Sequence, residues 1–283
     1  MSPEIADVVR RALEEDIGSG DVTSEACVPA DRTASGEFIA REPQVIAGVE
    51  LLPLIYDQCT AHKRSGDKAE AGDVIAQVHG SARALLSRER VALNFLQRLG
   101  GIATLAARYV ERVAGTGCQV LDTRKTTPGL RRLEKMAAAA GGVTNHRMGL
   151  YDAILIKNNH IEAAGGVREA IESARSASSL PIEIEVRTRE ELTEALSAGA
   201  SHILLDNFAP PEAAALVRQI AGRAKVEISG GVTLDNIRDY AQTGADFVSS
   251  GAITHSAPAV DISFRLLVAQ AFLPVFFGGA QCP

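Results

Sequence analysis

The sequence predicts an α/β fold: a barrel of βα units preceded by a smaller, sheet-bearing region. Three observations lead there. After Gly117, apolar runs of four to five residues alternate with helical segments, which implies parallel strands joined by right-handed crossovers. From the third of these strands onward the starts recur roughly every 20 to 25 residues, the spacing of barrel units. Before Gly117, short apolar runs between turn signals read as a small sheet. At 283 residues and 46% hydrophobic, the chain can bury a core large enough for both.

Taken in order, Ile5, Val8, Val9, Leu13 and Ile17 fall at helical spacing, and the stretch Gly-Ser-Gly-Asp-Val-Thr-Ser at 18–24 stops that helix in a turn-rich loop. Strands are expected at 36–40, 45–49 and 74–78, with a helix over 51–59 between them. Two helices, 82–98 and 102–113, should be broken at Gly100-Gly101. The barrel strands are expected at 119–122, 153–156, 182–186, 202–205, 226–228 and 247–249. Helices are expected at 130–140, 166–176, 189–198, 211–221 and 234–243, the first of them ended by Gly141-Gly142. The apolar tail 266–277 is interrupted by Pro274 and is shorter than the roughly 20 residues a bilayer requires; it reads as a buried or subunit-contacting helix end.

Charge narrows the function. The chain is −6 overall with a pI near 5.6, which argues against a nucleic-acid binder spreading a basic face over phosphates, and no segment suits a membrane. Yet from Arg124 to Lys157 seven cations face only Glu134 and Asp152, a local excess of five positive charges that points to a small anionic partner. Cys27, Cys59, Cys118 and Cys282 show neither disulfide nor zinc spacing, so a reducing, cytoplasmic setting is expected. The start, Met-Ser-Pro-Glu-Ile-Ala-Asp, lacks the features of a signal segment and reads as mature protein.

In a βα barrel the chemistry sits at the C-terminal ends of the strands. Here those ends carry Asp122-Thr123-Arg124-Lys125, Lys157-Asn158-Asn159-His160, Glu185, Asp206-Asn207, Ser229-Gly230-Gly231 and Ser250-Gly251-Ala252. The two Ser-Gly turns lead into helices, where backbone amides suit a phosphate, and His255 adds a donor nearby. Glu185 and Asp206 end adjacent strands and invite Mg²⁺, sugar hydroxyls or a cationic sugar centre, or serve as ion-pair partners of the neighbouring cations. Glu183 alternates with Glu185 and shares its face, so the sequence alone does not choose between them. Arg124, Arg147 and Lys157 suit carboxylates, and Lys125 a further anion. Arg131, Arg132 and Lys135, on the helix between, read as solvated or as part of a subunit contact.

Asp122-Thr123-Arg124-Lys125-Thr126-x-Pro128-Gly129-Leu130-Arg131, then Gly141-Gly142 with Asn145-His146-Arg147, then Leu155-Ile156-Lys157-x-Asn159-His160, together resemble the quinolinate phosphoribosyltransferases, also called carboxylating nicotinate-nucleotide pyrophosphorylases. The resemblance runs from Asp16-Ile17-Gly18 and Gly20-Asp21-Val22-Thr23 to Asp261-Ile262-Ser263. It implies transfer of phosphoribose from phosphoribosyl pyrophosphate to quinolinate with loss of CO₂, in NAD biosynthesis and with Mg²⁺. It also implies a homodimer with shared active sites. Arg124, His146, Arg147 and Lys157 would line the quinolinate pocket, joined by an Arg90 from the other subunit. Lys125, Glu185 and Asp206 would serve the phosphoribosyl donor and its metal, with Lys157 also catalytic, and Ser229, Gly230, Gly251 and His255 would hold the 5′-phosphate. The implied fold is an N-terminal α/β sandwich over 1–106, completed by a C-terminal helix at 264–283, and an incomplete α/β barrel over 107–263. Gly100, Val143 and Asn158 depart from the family pattern, where Ser, Gly and Asp are usual; none is a named cationic ligand.

Two other readings compete: a paralogue of the kind associated with molybdate transport, acting on another carboxylate, and a non-catalytic barrel that senses a metabolite. Both carboxylates together with the full set of cations favour the enzyme, because a sensor would need binding alone.

Overall fold

The structure is a computed structural model and describes residues 2–268. Helix α1 (Pro3–Ile17) starts with proline in its first turn, buries Ile5 and Val9, and stops at Gly18, whose φ of +53° suits glycine. The following stretch is more than a loop. Asp21 Oδ1 accepts the amides of Thr23 and Ser24 at 3.1 and 3.0 Å and so caps a second short helix, α2 (Val22–Cys27).

Strands β1 (Thr33–Ala40), β3 (Gln58–Ala61), β5 (Val74–Ser81) and β12 (Ile262–Leu267) form an antiparallel sheet in the order β12-β1-β5-β3, while β2 (Gln44–Val45) pairs only with β4 (Lys68–Ala69). Three expectations need correction. The strand at 45–49 is limited to Gln44–Val45, because Gly48 turns the chain at φ +87° into a 3₁₀ turn (Val49–Leu51). The helix at 51–59 holds only as α3 (Leu52–Ile55), since the chain from Gln58 is recruited by β5. The expected C-terminal helix cannot begin at 264: those residues belong to β12, where the ring of Phe264 packs on Phe38 with centroids 5.0 Å apart and Arg265 pairs with Glu37. Residues 269–283 of that expected helix lie outside the described residues.

Helix α4 (Ala82–Val113) is one continuous helix of 32 residues, not two. Its two central glycines, each a cost of about 1 kcal/mol against alanine, serve close packing instead of a break. A Cβ on Gly101 would lie 2.0 Å from the Pro258 carbonyl oxygen, and one on Gly100 would lie 2.8 Å from Val260. The expected boundary at 106/107 falls inside this helix, which packs on β1, β2 and β5 along one part and on β6 and α5 along another. Among the described residues no helix is long and apolar enough to cross a membrane.

All six barrel strands are present: β6 (Gln119–Leu121), β7 (Ile154–Ile156), β8 (Ile182–Val186), β9 (His202–Asp206), β10 (Lys225–Ser229) and β11 (Phe247–Ser249). They are parallel, in the order β6-β11-β10-β9-β8-β7, and β6 does not pair with β7, so the barrel is incomplete. The connecting helices are α5 (Arg131–Ala140), α6 (Asn158–Ala164), α7 (Val167–Ala177), α8 (Arg189–Ser197), α9 (Pro210–Ile220), α10 (Ile237–Ala241) and α11 (Ala252–His255). Of these, α10 is shorter than the segment 234–243 expected to be helical.

Strand alternation sets up the site. Ile184, Val186, Ile203, Leu205, Val226 and Ile228 are buried core residues, while Glu183, Glu185, Leu204, Asp206, Glu227 and Ser229 share the opposite phase. A slip of one residue would exchange the two sets.

Candidate active site

At the C-terminal ends of the six strands lies a cavity of about 320 Å³ that collects, among others, Arg124, Lys125, His146, Arg147, Lys157, Glu185, Asp206, Ser229 and Gly230. A larger cleft of about 440 Å³ opens between α1 and α5, but its charges come from outer helix faces and partly neutralise each other, as in the 2.8 Å pair of Arg132 with Glu4. The strand-end cavity is where unlike chemistries converge.

Its cationic side is built by a buried clamp. Lys135 and Asp122, both wholly buried, form an ion pair; Lys135 also donates to the His146 carbonyl at 2.9 Å, and Asp122 accepts the His146 amide at 2.8 Å. Asn145, turned so that its amide donates, reaches Asp122 at 2.8 Å and the Lys135 carbonyl at 3.0 Å. The reading of Lys135 as solvated is therefore overturned: this lysine fixes the backbone of the 145–147 loop. Burial pushes the Asp122 carboxyl up and the Lys135 ammonium down, and their contact opposes both shifts. Arg131 likewise turns inward to Thr126 at 3.0 Å, whereas Arg132 stays on the outside with Glu4.

From that loop Arg147 faces Arg124. Burial and the neighbouring Arg124 guanidinium pull the Arg147 pKa below its ordinary value, and Arg124 Nε is buried with no hydrogen-bond partner among the described residues. Two neighbouring guanidiniums, one with an orphaned donor, are an arrangement that suits an anion. Lys157 stands across from them, its Nζ 2.6 Å from Glu185 Oε2, and its own amide donates to His160 Nδ1 at 2.9 Å, which accounts for the Lys-x-x-His spacing.

His146 turns away from the arginines. Its Nδ1 accepts the Arg147 amide at 2.7 Å, while Nε2 lies 3.0 Å from Glu183 and 3.3 Å from Glu227. Burial works against charge on the ring, but the two carboxylates outweigh it and raise the His146 pKa to about 10. Burial also pushes the Glu227 carboxyl up. Because Nδ1 accepts an amide proton, the ring proton sits on Nε2, directed at the two carboxylates. The ligand atoms of the three groups lie within 4.8 Å of one another, close enough to hold a metal, but mutual hydrogen bonds already occupy them.

Glu185 and Asp206 line one cavity from adjacent strands, whereas Glu183 sits with His146, so the two glutamates of β8 have different partners. At the phosphate-type turns, Gly230 (φ +92°) has no room for a side chain, since a Cβ would lie 2.2 Å from Asn207 Oδ1. Ser249 donates to Ser229 at 3.0 Å. A Cβ on Gly251 would meet Lys125 Cδ at 2.6 Å and His255 Cδ2 at 3.1 Å, so these three residues adjoin. Arg90 is exposed on α4 and does not line the cavity of its own chain.

Sequence reasoning passed over Glu227 and Arg187. A carboxylate in the middle of an apolar strand, in phase with Ser229, was the available signal for Glu227. For Arg187 it was a cation directly after the strand that carries Glu185.

The sequence matches the family description "Quinolinate phosphoribosyl transferase, N-terminal domain" over residues 21–100 and the corresponding C-terminal domain over 102–265. It is 43% identical over 264 residues to a probable nicotinate-nucleotide pyrophosphorylase [carboxylating] of Bacillus subtilis, covering 90% of this chain and 91% of that one. It is 41% identical to the nicotinate-nucleotide pyrophosphorylase [carboxylating] of Mycobacterium leprae, over 92% and 96% of the two chains. Its structure superposes on the crystal structure of NadC from Streptococcus pyogenes with a TM-score of 0.90 at 38% identity, over 95% and 98% of the two chains. With both domains matched and these identities along nearly its whole length, the chain belongs to the quinolinate phosphoribosyl transferase family.

Proposed function

We propose that the chain transfers the phosphoribosyl group of phosphoribosyl pyrophosphate to the ring nitrogen of quinolinate, with loss of the 2-carboxylate as CO₂, to give nicotinate mononucleotide and pyrophosphate for NAD biosynthesis. The observation that carries this reading is the Arg124–Arg147 pair, with a buried donor that has no acceptor among the described residues, facing two carboxylates across a single cavity.

In balanced terms, the ring nitrogen forms a bond to the sugar carbon as the bond from that carbon to pyrophosphate breaks. The carbon–carbon bond to the 2-carboxylate then breaks, its electron pair stays on the ring, and a proton takes that pair. Arg124, Arg147 and Lys157 hold the dianion, and His146 shapes that side of the pocket. A desolvated cationic wall also stabilises the negative charge that decarboxylation leaves behind. Glu185 and Asp206 offset the oxocarbenium-like charge at the sugar, Lys125 serves the pyrophosphate, and Ser229, Gly230, Gly251 and His255 take the 5′-phosphate. Much of the rate comes from holding the two substrates in register. Glu185 and Asp206, both oxygen donors on one cavity, suit Mg²⁺, which when bound neutralises charge on the leaving pyrophosphate. A homodimer would bring Arg90 from a second copy to the dianion. The setting is the cytosol, and the three cysteines of the described residues are all free thiols.

Incubation with phosphoribosyl pyrophosphate, Mg²⁺ and quinolinate should yield nicotinate mononucleotide by mass. Turnover of another acid in its place would overturn the substrate, and binding without turnover would leave a sensor. Light scattering should give the mass of a dimer. Arg147→Ala should weaken quinolinate binding by about 1.5–3 kcal/mol, the range for a charged hydrogen-bond partner. Titration calorimetry showing an unchanged Kd would remove Arg147 from the pocket.

A further inference from the structure

The two carboxylates at the ends of β8 and β9 are already bridged by a cation of the chain itself. Arg187, one residue past β8, places Nη2 3.1 Å from Glu185 Oε1 and Nε 3.2 Å from Asp206 Oδ2. The second oxygen of Glu185 takes Lys157 Nζ at 2.6 Å. Two negative charges therefore face two positive ones, and the guanidinium occupies the place a metal ion would need in order to touch both carboxylates. The carboxylates are fixed, at 4% and 14% exposure, whereas the Arg187 side chain is 47% exposed. Its backbone is tied down separately, through its amide to Glu191 Oε2 at 2.6 Å.

Resting on the reaction proposed above, we propose that Arg187 is an internal counter-cation that keeps the Glu185–Asp206 pair closed to a free divalent cation, so that the metal enters only with the phosphates of phosphoribosyl pyrophosphate. A divalent ion added to a pair already neutralised by Lys157 and Arg187 meets no net attraction. The phosphates reverse that balance, because a planar fork released from two carboxylates has a matching partner in a pyrophosphate. Leaving is easy for a half-exposed ion pair, whose net contribution to stability is small. The metal and the guanidinium exchange places, and one site serves the resting and the loaded protein.

The test uses Mn²⁺ as probe, followed by the resonance of the free ion, on the full chain without either substrate. Arg187→Met should bind Mn²⁺ at least tenfold more tightly than the wild type, and adding Asp206→Asn should abolish the gain. Arg187→Lys, which keeps the charge but cannot bridge both carboxylates, should fall between. Equal Mn²⁺ affinity in the wild type and Arg187→Met overturns the proposal, as does a gain that survives Asp206→Asn, since the ion would then be held somewhere other than at this carboxylate pair. Because no substrate is present, the result is independent of turnover. A gain without nicotinate mononucleotide formation removes the reaction and keeps the Arg187 contact, and product formation without a gain does the reverse.

Discussion

Lys135 has an ammonium that no solvent reaches, set between Asp122 and the carbonyl of His146. Exchanging it for methionine leaves Asp122 buried without its charge partner, and breaking such a pair costs about 3–5 kcal/mol. Urea denaturation of Lys135→Met should show a loss of that size; a change within a few tenths would mean that the pair is dispensable. In the sequence this lysine stands in an Arg-Arg-Leu-Glu-Lys cluster, and such clusters normally face water. Its partners come from other segments, and no local pattern announces them. By contrast, Arg124 and Lys157 were legible because strand ends in a barrel point to the site whatever the surrounding packing, and Arg147 through the Asn145-His146-Arg147 motif in the loop after α5. His146 is like Lys135 in having a distant partner: Nδ1 accepts the Arg147 amide, so its ring proton sits on Nε2 against Glu183, 37 residues away in the chain.

At the scale of elements, the barrel strands and their helices were readable, since each parallel strand is a buried apolar run with its own crossover helix. The N-terminal sheet was read less well. Its short strands are defined by distant partners: β3 exists because β5 recruits it, and β12 because β1 does. Helix α4 shows the same limit differently. Gly100-Gly101 is a break signal locally, but the approach of Pro258 and Val260 requires the missing side chains and offsets their propensity cost. Gly101→Ala should accordingly destabilise the protein by about 1–3 kcal/mol, the usual range for overpacking, although alanine is the better helix former. A thermal midpoint equal to or above that of the wild type would show that the backbone yields around the methyl group. Gly141, whose Cβ would lie 2.3 Å from the Ala103 carbonyl, makes the matching close approach from α5.

For the whole molecule, α4 is the shared element. Its 32 residues span about 48 Å, and the helix packs on the antiparallel sheet and on the barrel alike. Loss of either sheet exposes one of its buried faces, so calorimetry should give one unfolding transition whose van't Hoff and calorimetric enthalpies agree. Two resolved transitions would show that the parts unfold separately. The wiring of the first sheet bears on how the protein is made. Strand β1 sits between β5 and β12, and β12 begins 222 residues after β1 ends. At about 5–20 residues per second, a ribosome needs roughly ten to fifty seconds to deliver that last strand. For that interval the nascent chain carries one side of β1 as an open edge, a template for pairing with other copies. The barrel is therefore synthesised between the first three strands of an unfinished sheet and its fourth, and that interval is when the chain has most need of a chaperone.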